Sequence, residues 1–185
     1  MNIDDLKRRA EAGEELDYVF FWGPAHEDDG RMTEHCLSQW SPSPFVVDGI
    51  GYATAEHWMM AEKARLFGDA VALERVLEDP SPAKAKKLGR SVRGFDAERW
   101  NAHRFEIVTR GNVHKFGQLA HMGEYLRSTR PRILVEASPL DAIWGIGFDC
   151  DAPEARDPRT WRGLNLLGFA LMEARDRLFG ALAGP

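Results

Sequence analysis

Apolar residues in this chain fall into two rhythms. Short runs sit at strand spacing, and longer stretches repeat every three or four positions; the second rhythm dominates. Residues 2–15 are polar with scattered Leu and Ala, which predicts a helix that docks weakly or frays. DYVFFW, residues 17–22, is strand-like, rich in aromatic and β-branched side chains. Residues 23–31 carry Gly, Pro and four charges and read as a loop. LSQWSPSP, residues 37–44, is interrupted by prolines and reads as an ordered turn or extended segment. FVVDGIGY, residues 45–52, is a hairpin with Asp48-Gly49 at its turn. Thr54 caps a helix from 55 to about 67 that stops at Gly68. Asp69 (or Gly68) opens a helix to about 78, and Ser81-Pro82 opens one ending near 88–89. Asp96 caps a long helix over 97–115, and a further helix covers about 118–128. RILVEA, residues 132–137, is a strand, and residues 141–148 form a loop with two glycines. Residues 153–160 are expected to be a mobile loop, and residues 165–178 an amphipathic helix. The sum is an α+β fold, a single compact and mostly helical domain with a small β element. Residues 1–16 are its polar N-terminal segment and residues 17–180 the domain proper.

Composition narrows the class. With 44% hydrophobic and 29% charged residues in a chain of 185, the protein reads as an ordinary globular domain. A net charge of −5 argues against a dominant basic nucleic-acid surface. No apolar stretch approaches the roughly 20 residues of a membrane span, and the start of the chain lacks a signal-peptide core, so a cytoplasmic location is expected. Cys36 and Cys150 are isolated, which predicts free thiols, with a disulfide as the alternative, and no cysteine-based zinc site. The histidines show neither HxxxH nor HExxH spacing, so no metal site is expected.

The run AEHWMMAEK is the most informative chemistry. On a helix, Glu56, Met59/Met60 and Lys63 share one face, so a carboxylate and an amine interrupt an apolar stripe. They form either an ion pair or a reactive site in which desolvation lowers the amine's pKa. Glu62 lies on a different face and reads as solvated, and His57 as a packing residue. Asp141 and Trp144-Gly145 form a second group: an aromatic face beside a residue that lets a ligand approach backbone, or a core Trp on a turn that Asp141 caps. Lys84, Lys86, Lys87 and Arg90 form a basic helix end. Arg90 is the candidate phosphate contact of the four on pattern, and the lysines read as a solvated face. Trp22 and Trp40 are further candidates for stacking on a base.

Residues 37–67, LSQWSPSPFVVDGIGYATAEHWMMAEKARLF, resemble the signature of the NADAR family (YbiA-like proteins). SPAKAKKLGR (81–90), LVEASPLDAIWGIG (134–147) and WRGLNLLGFALMEARDRL (161–178) match in the same order, so the resemblance spans about residues 19–178. It implies an N-glycosidase acting on phosphoribosylated intermediates of riboflavin biosynthesis, or on ADP-ribosylated guanine in DNA or RNA. By motif, Glu56 matches the family's essential glutamate and Lys63 the lysine to which a Schiff base would be assigned. Asp141 and Trp144 match its D-x-x-WG motif, Arg90 its LGR arginine and Asn165 its G-x-N-x-LG asparagine. Gln39-Trp40 replaces the usual Asn-Phe, Ile143 stands where an aromatic residue is frequent, and residues 23–34 look like a longer, acidic loop. These departures bear on substrate choice rather than reaction class.

The implied chemistry needs no cofactor or metal. A carboxylate, Glu56 or Asp141, stabilises positive charge at the anomeric carbon, and Lys63 captures that carbon. Trp144, Arg90, Asn165, Trp40, Trp22 and Gly145 are the expected substrate-binding positions. Two other classes remain open at this point: an ADP-ribose or NAD-binding module without catalysis, and a structural protein with a buried Glu56–Lys63 pair. The sequence leaves the choice of glycoside, the oligomeric state and any toxin-antitoxin role open.

Overall fold

The computed structural model describes residues 1–23 and 32–180. Its helices are α1 (Ile3–Glu11), α2 (Ala55–Leu66), α3 (Ala70–Glu78), α4 (Pro82–Arg90), α5 (Ala97–Gln118), α6 (Ala120–Ser128) and α7 (Leu166–Phe179). Its strands are β1 (Tyr18–Phe21), β2 (Phe45–Val47), β3 (Ile50–Tyr52) and β4 (Ile133–Glu136). The class is α+β and mostly helical, as the pattern predicts. The expected loop at 23–31 falls almost wholly outside the described residues. No helix among the described residues is long and apolar enough to cross a membrane.

Contacts gather in two compact units, Met1–Ser38 with His121–Pro185, and Gln39–Ala120. In the first unit, β1 and β4 pair in parallel, Tyr18 opposite Ile133 and Phe21 opposite Glu136. Residues 133–135 are buried throughout, and α7 packs on β4. α1 is firmer than its polarity predicts. Asn2 and Asp5 form a reciprocal capping box, and Leu6 is fully buried. Residues 153–160, read as a loop, carry local structure of their own. They open with a single helical turn, Pro153–Arg156, and the Trp161 indole donates to the Ala155 carbonyl at 2.9 Å. The Thr160 hydroxyl closes the segment on the Glu154 and Asp157 carbonyls.

In the second unit, β2 and β3 form the expected hairpin, with Val47 opposite Ile50. Asp48 and Gly49 both have positive φ, 51° and 78°, as a two-residue turn of this hand requires. The helices start where their caps predict. The Thr54, Asp69, Ser81 and Asp96 side chains each accept from the backbone amide three residues on. α2 packs against α3, α4 and α5 at once. Residues 55–61 and Ala64 are therefore buried on every face of the helix, and the expected single apolar stripe is replaced by burial all round. α7 is likewise buried over 167–172 rather than amphipathic.

Candidate active site

α2 is anchored at its first turn. The Glu56 amide donates to the Gln39 carbonyl at 3.0 Å, and the His57 amide to the Thr54 hydroxyl. Gln39 also reaches α5, its side-chain amide donating to Asn112 Oδ1 at 3.2 Å. Glu56 is 2% exposed and sits in the positive first turn of the helix, where a carboxylate is favoured. His57 packs, as expected, but as a strut. Its Nε2 lies 2.8 Å from the Asp79 carbonyl, which can only accept, so Nε2 carries the proton. Nδ1 then accepts from the Thr54 hydroxyl at 2.8 Å. Burial lowers the His57 pKa and keeps the ring neutral, with the Asp79 carbonyl opposing that shift.

Two glycines let neighbouring helices close on α2. A Cβ on Gly89 would fall 1.8 Å from Met60 Sδ, and one on Gly111 2.3 Å from Trp58 Cδ1. α4 runs to Arg90, in keeping with the expected end near 88–89. The Trp58 indole donates to the Ile107 carbonyl at 2.8 Å across the second contact. This packing sets exposed Arg90 near enough to Lys63 to disfavour its charge.

Lys63 is half-buried, and aromatic faces lie against its ammonium. Nζ stands 4.3 Å from the Phe95 ring centre and 5.3 Å from that of Trp100. Its pKa is lowered, first by burial and then by Arg90, with Glu56 pulling the other way. Phe95 is placed by a longer-range device. The buried Asp69 carboxylate accepts from the Arg93 amide at 2.9 Å and from its guanidinium at 2.8 Å. That clamp holds the chain between α4 and α5, and Phe95 then packs on Phe67 at 5.3 Å. Sequence reasoning missed Phe95, Trp100 and this clamp. The two rings have no periodic relation to Lys63, and the clamp joins residues 24 apart. Trp40 is half-buried, with the Lys86 ammonium 5.7 Å from its ring. Glu62 is not simply solvated; it is half-buried and pairs with Arg65 at 2.5 Å.

In the first unit, Asp141 has the capping geometry. Its Oδ1 accepts from the Ile143 and Trp144 amides, both at 2.8 Å. The carbonyls of 142–145 accept from the amides of 164–167, so the entry to α7 is closed by this loop. Gly145 is buried in tight quarters, where a Cβ would meet the Glu136 carbonyl at 2.9 Å. Trp144 is half-buried, and Trp22, after β1, is 44% exposed. Asn165 is fully buried in a left-handed conformation, φ 51°. Its Oδ1 accepts from the Glu136 amide at 3.0 Å and its Nδ2 donates to the Leu134 carbonyl at 2.9 Å. The carboxamide thus pairs like a peptide with the edge of β4 turned away from β1, and both its polar atoms are committed there. Gln118 does the same for β2 in the second unit, pairing with the Val46 amide and carbonyl. Cys36, buried, and Cys150, exposed, are not joined in a disulfide.

The helical α+β architecture places the protein in the structural class of the Escherichia coli protein YbiA. The NMR structure of that protein superposes with a TM-score of 0.68 at 28% identity, covering 89% of this chain and 86% of YbiA. Residues 20–179 match the NADAR domain, and the chain belongs to the NADAR family. An N-glycosidase of Acanthamoeba polyphaga mimivirus is 41% identical over 164 residues, 86% of this chain and 95% of the viral protein. An N-glycosidase of Nostoc punctiforme is 30% identical over 148 residues, 80% of this chain and 88% of the relative.

Proposed function

We propose that this protein cleaves the N-glycosidic bond of a phosphorylated ribosyl compound, with Glu56 and Lys63 as its chemical groups. At the coarser level the reaction class follows from its relatives: it is a hydrolase of N-glycosyl compounds. The observation that carries the finer reading is the desolvated Lys63 amine on the same buried helix as the Glu56 carboxylate, with Arg90 acting on that amine. Of the two substrate classes, a phosphoribosylated small molecule of the riboflavin-intermediate type is favoured over ADP-ribosylated guanine in nucleic acid. A net charge of −5 disfavours a polyanion.

The chemistry divides as follows. As the glycosidic C–N bond breaks, its electron pair leaves with the nitrogen and positive charge grows at the anomeric carbon. A fixed carboxylate in a dry site stabilises that charge, and Glu56 has that setting. Neutral Lys63 adds to the carbon, and the proton it sheds balances the one the departing nitrogen takes up. Ring opening gives a Schiff base, and water adds across it to release the sugar and the free amine. The net change is one glycoside and one water converted to sugar and base.

Asp141, whose Oδ1 holds two amides, is assigned to shaping the loop that carries Trp144 and Gly145. Asn165 is assigned to fastening that loop to β4. Arg90 is the proposed phosphate contact, and Trp144, Trp40 and Trp22 are the proposed stacking surfaces. The test is mass spectrometry of products from a phosphoribosylated aminopyrimidine and from an oligonucleotide with ADP-ribosylated guanine. Release of ribose 5-phosphate from the first, abolished by Glu56→Gln, supports the reading. Release of no sugar from either contradicts it.

A further inference from the structure

A cavity of about 520 Å³ opens between α3 and α4, and neither Glu56, Lys63 nor Arg90 lines it. Its chemistry is mixed in a specific way. Arg75 comes from α3, while Lys84 and Lys87 lie one turn apart on the same face of α4. Lys84 is paired with the Asp79 carboxylate at 2.8 Å, and that carboxylate also accepts from the Ser81 amide at 2.9 Å. Arg75, Lys87 and Glu78 make no ion pair among the described residues. The cavity therefore offers two unpaired cations, one unpaired carboxylate, and the apolar surfaces of Pro80 and Leu88. The volume suits a small ligand. Two cations suit a phosphate, a carboxylate suits sugar hydroxyls, and carbon surface suits a ring. A polyanion would instead meet Glu78 and Asp79 on the same wall.

We propose that this α3–α4 cavity is a second binding site that takes a phosphorylated monosaccharide, its phosphate on Arg75 and Lys87 and its hydroxyls on Glu78. The site has a mechanical link to α2. Asp79 lines the cavity, and its carbonyl holds the buried ring of His57, which adjoins Glu56 in the chain. A ligand that orders the turn at 78–81 is felt at His57. The binding claim stands on the cavity alone. Such a ligand is also of the kind a phosphoribosyl N-glycosidase releases, and in that respect the inference rests on the function proposed above.

The experiment is amide and histidine NMR of the full chain titrated with ribose 5-phosphate, with ribose and inorganic phosphate as separate probes. Saturable shifts at residues 75–91 and at the His57 ring are expected, with ribose giving none. The double variant Arg75→Glu/Lys87→Glu, at two exposed positions, should weaken binding roughly tenfold or more. It should leave turnover without added ribose 5-phosphate unchanged. Arg75→Gln/Lys87→Gln provides the milder version should the charge reversal unfold the chain. Shifts unaffected by both double variants would overturn the site. Inorganic phosphate binding as tightly as ribose 5-phosphate would overturn the sugar.

Discussion

The Lys63 ammonium lies 4.3 Å from the centre of the Phe95 ring, and Phe95 is 48% exposed. A half-exposed ring thus covers an amine that burial has already made less basic. Among the charges acting on that amine, Arg90 has a larger effect than Glu56. The arrangement has the character of an activated amine more than of a simple ion pair, and it yields direct expectations.

Removing the ring should re-wet the amine. In Phe95→Ala the lost burial, the largest cause of the shift, outweighs the lost cation–π contact, and the Lys63 pKa moves back up toward its ordinary value of 10.5. Activity that needs neutral Lys63 rises with pH through that group's pKa, so the rising limb of kcat/KM should shift to higher pH. A displacement of about one unit would reduce kcat/KM about tenfold below the limb. Phe95→Tyr should restore the wild-type profile. A profile that keeps its position in Phe95→Ala would remove the ring from this role.

Glu56→Gln keeps the shape of the side chain and removes its charge. If the carboxylate stabilises the anomeric cation, kcat should fall by roughly a hundredfold or more while KM changes little. Steady-state kinetics on the substrate identified by product analysis decides this. Near-normal kcat would remove Glu56 from the mechanism.

Asn165 is expected to act on stability before activity. Asn165→Ala leaves the Leu134 carbonyl and the Glu136 amide without partners in a buried setting, at about 1–3 kcal/mol each. Asn165→Gly relieves the left-handed conformation yet loses the same bonds, so it should rescue only part of the loss. Urea unfolding of the two variants checks the order. Full stability in Asn165→Ala would show that the carboxamide does not hold the β4 edge.

Much of the fold was legible because single residues own the feature. Thr54, Ser81 and Asp96 cap their helices by one side chain each, and Asp48-Gly49 sets its turn alone. What escaped depends on partners distant in sequence. α2 reads as a striped helix until α3, α4 and α5 surround it. Residues 153–160 read as mobile because the anchor, the Trp161 indole on Ala155, follows the segment. The Glu56 and Lys63 spacing was visible, but Phe95 is set over Lys63 by the distant Asp69–Arg93 clamp. The Asn165 motif was visible too, while its use on β4 was not.

Acid should loosen the second unit through two named groups. His57 titrates lower in the folded chain than its ordinary 6.5, so below that value the unfolded chain binds more protons and stability falls with pH. Asp69 is held well below the usual carboxylate range by Arg93, so its contribution is present above about 3.8 and is lost as pH falls through its folded pKa. Unfolding free energy measured from pH 8 to pH 5 should therefore decline through His57, the Asp69 share being lost only below about pH 3.8, and His57→Gln should show a shallower decline. An equal slope in that variant would exclude His57 as the source.

The proposed mechanism requires that Lys63 bond to the sugar during turnover. Borohydride added to the enzyme with its phosphoribosylated substrate, followed by peptide mass spectrometry, tests it most directly. A reduced sugar adduct is expected on the peptide carrying Lys63, with neither adduct nor normal turnover in Lys63→Ala. Undiminished turnover by Lys63→Ala would contradict it.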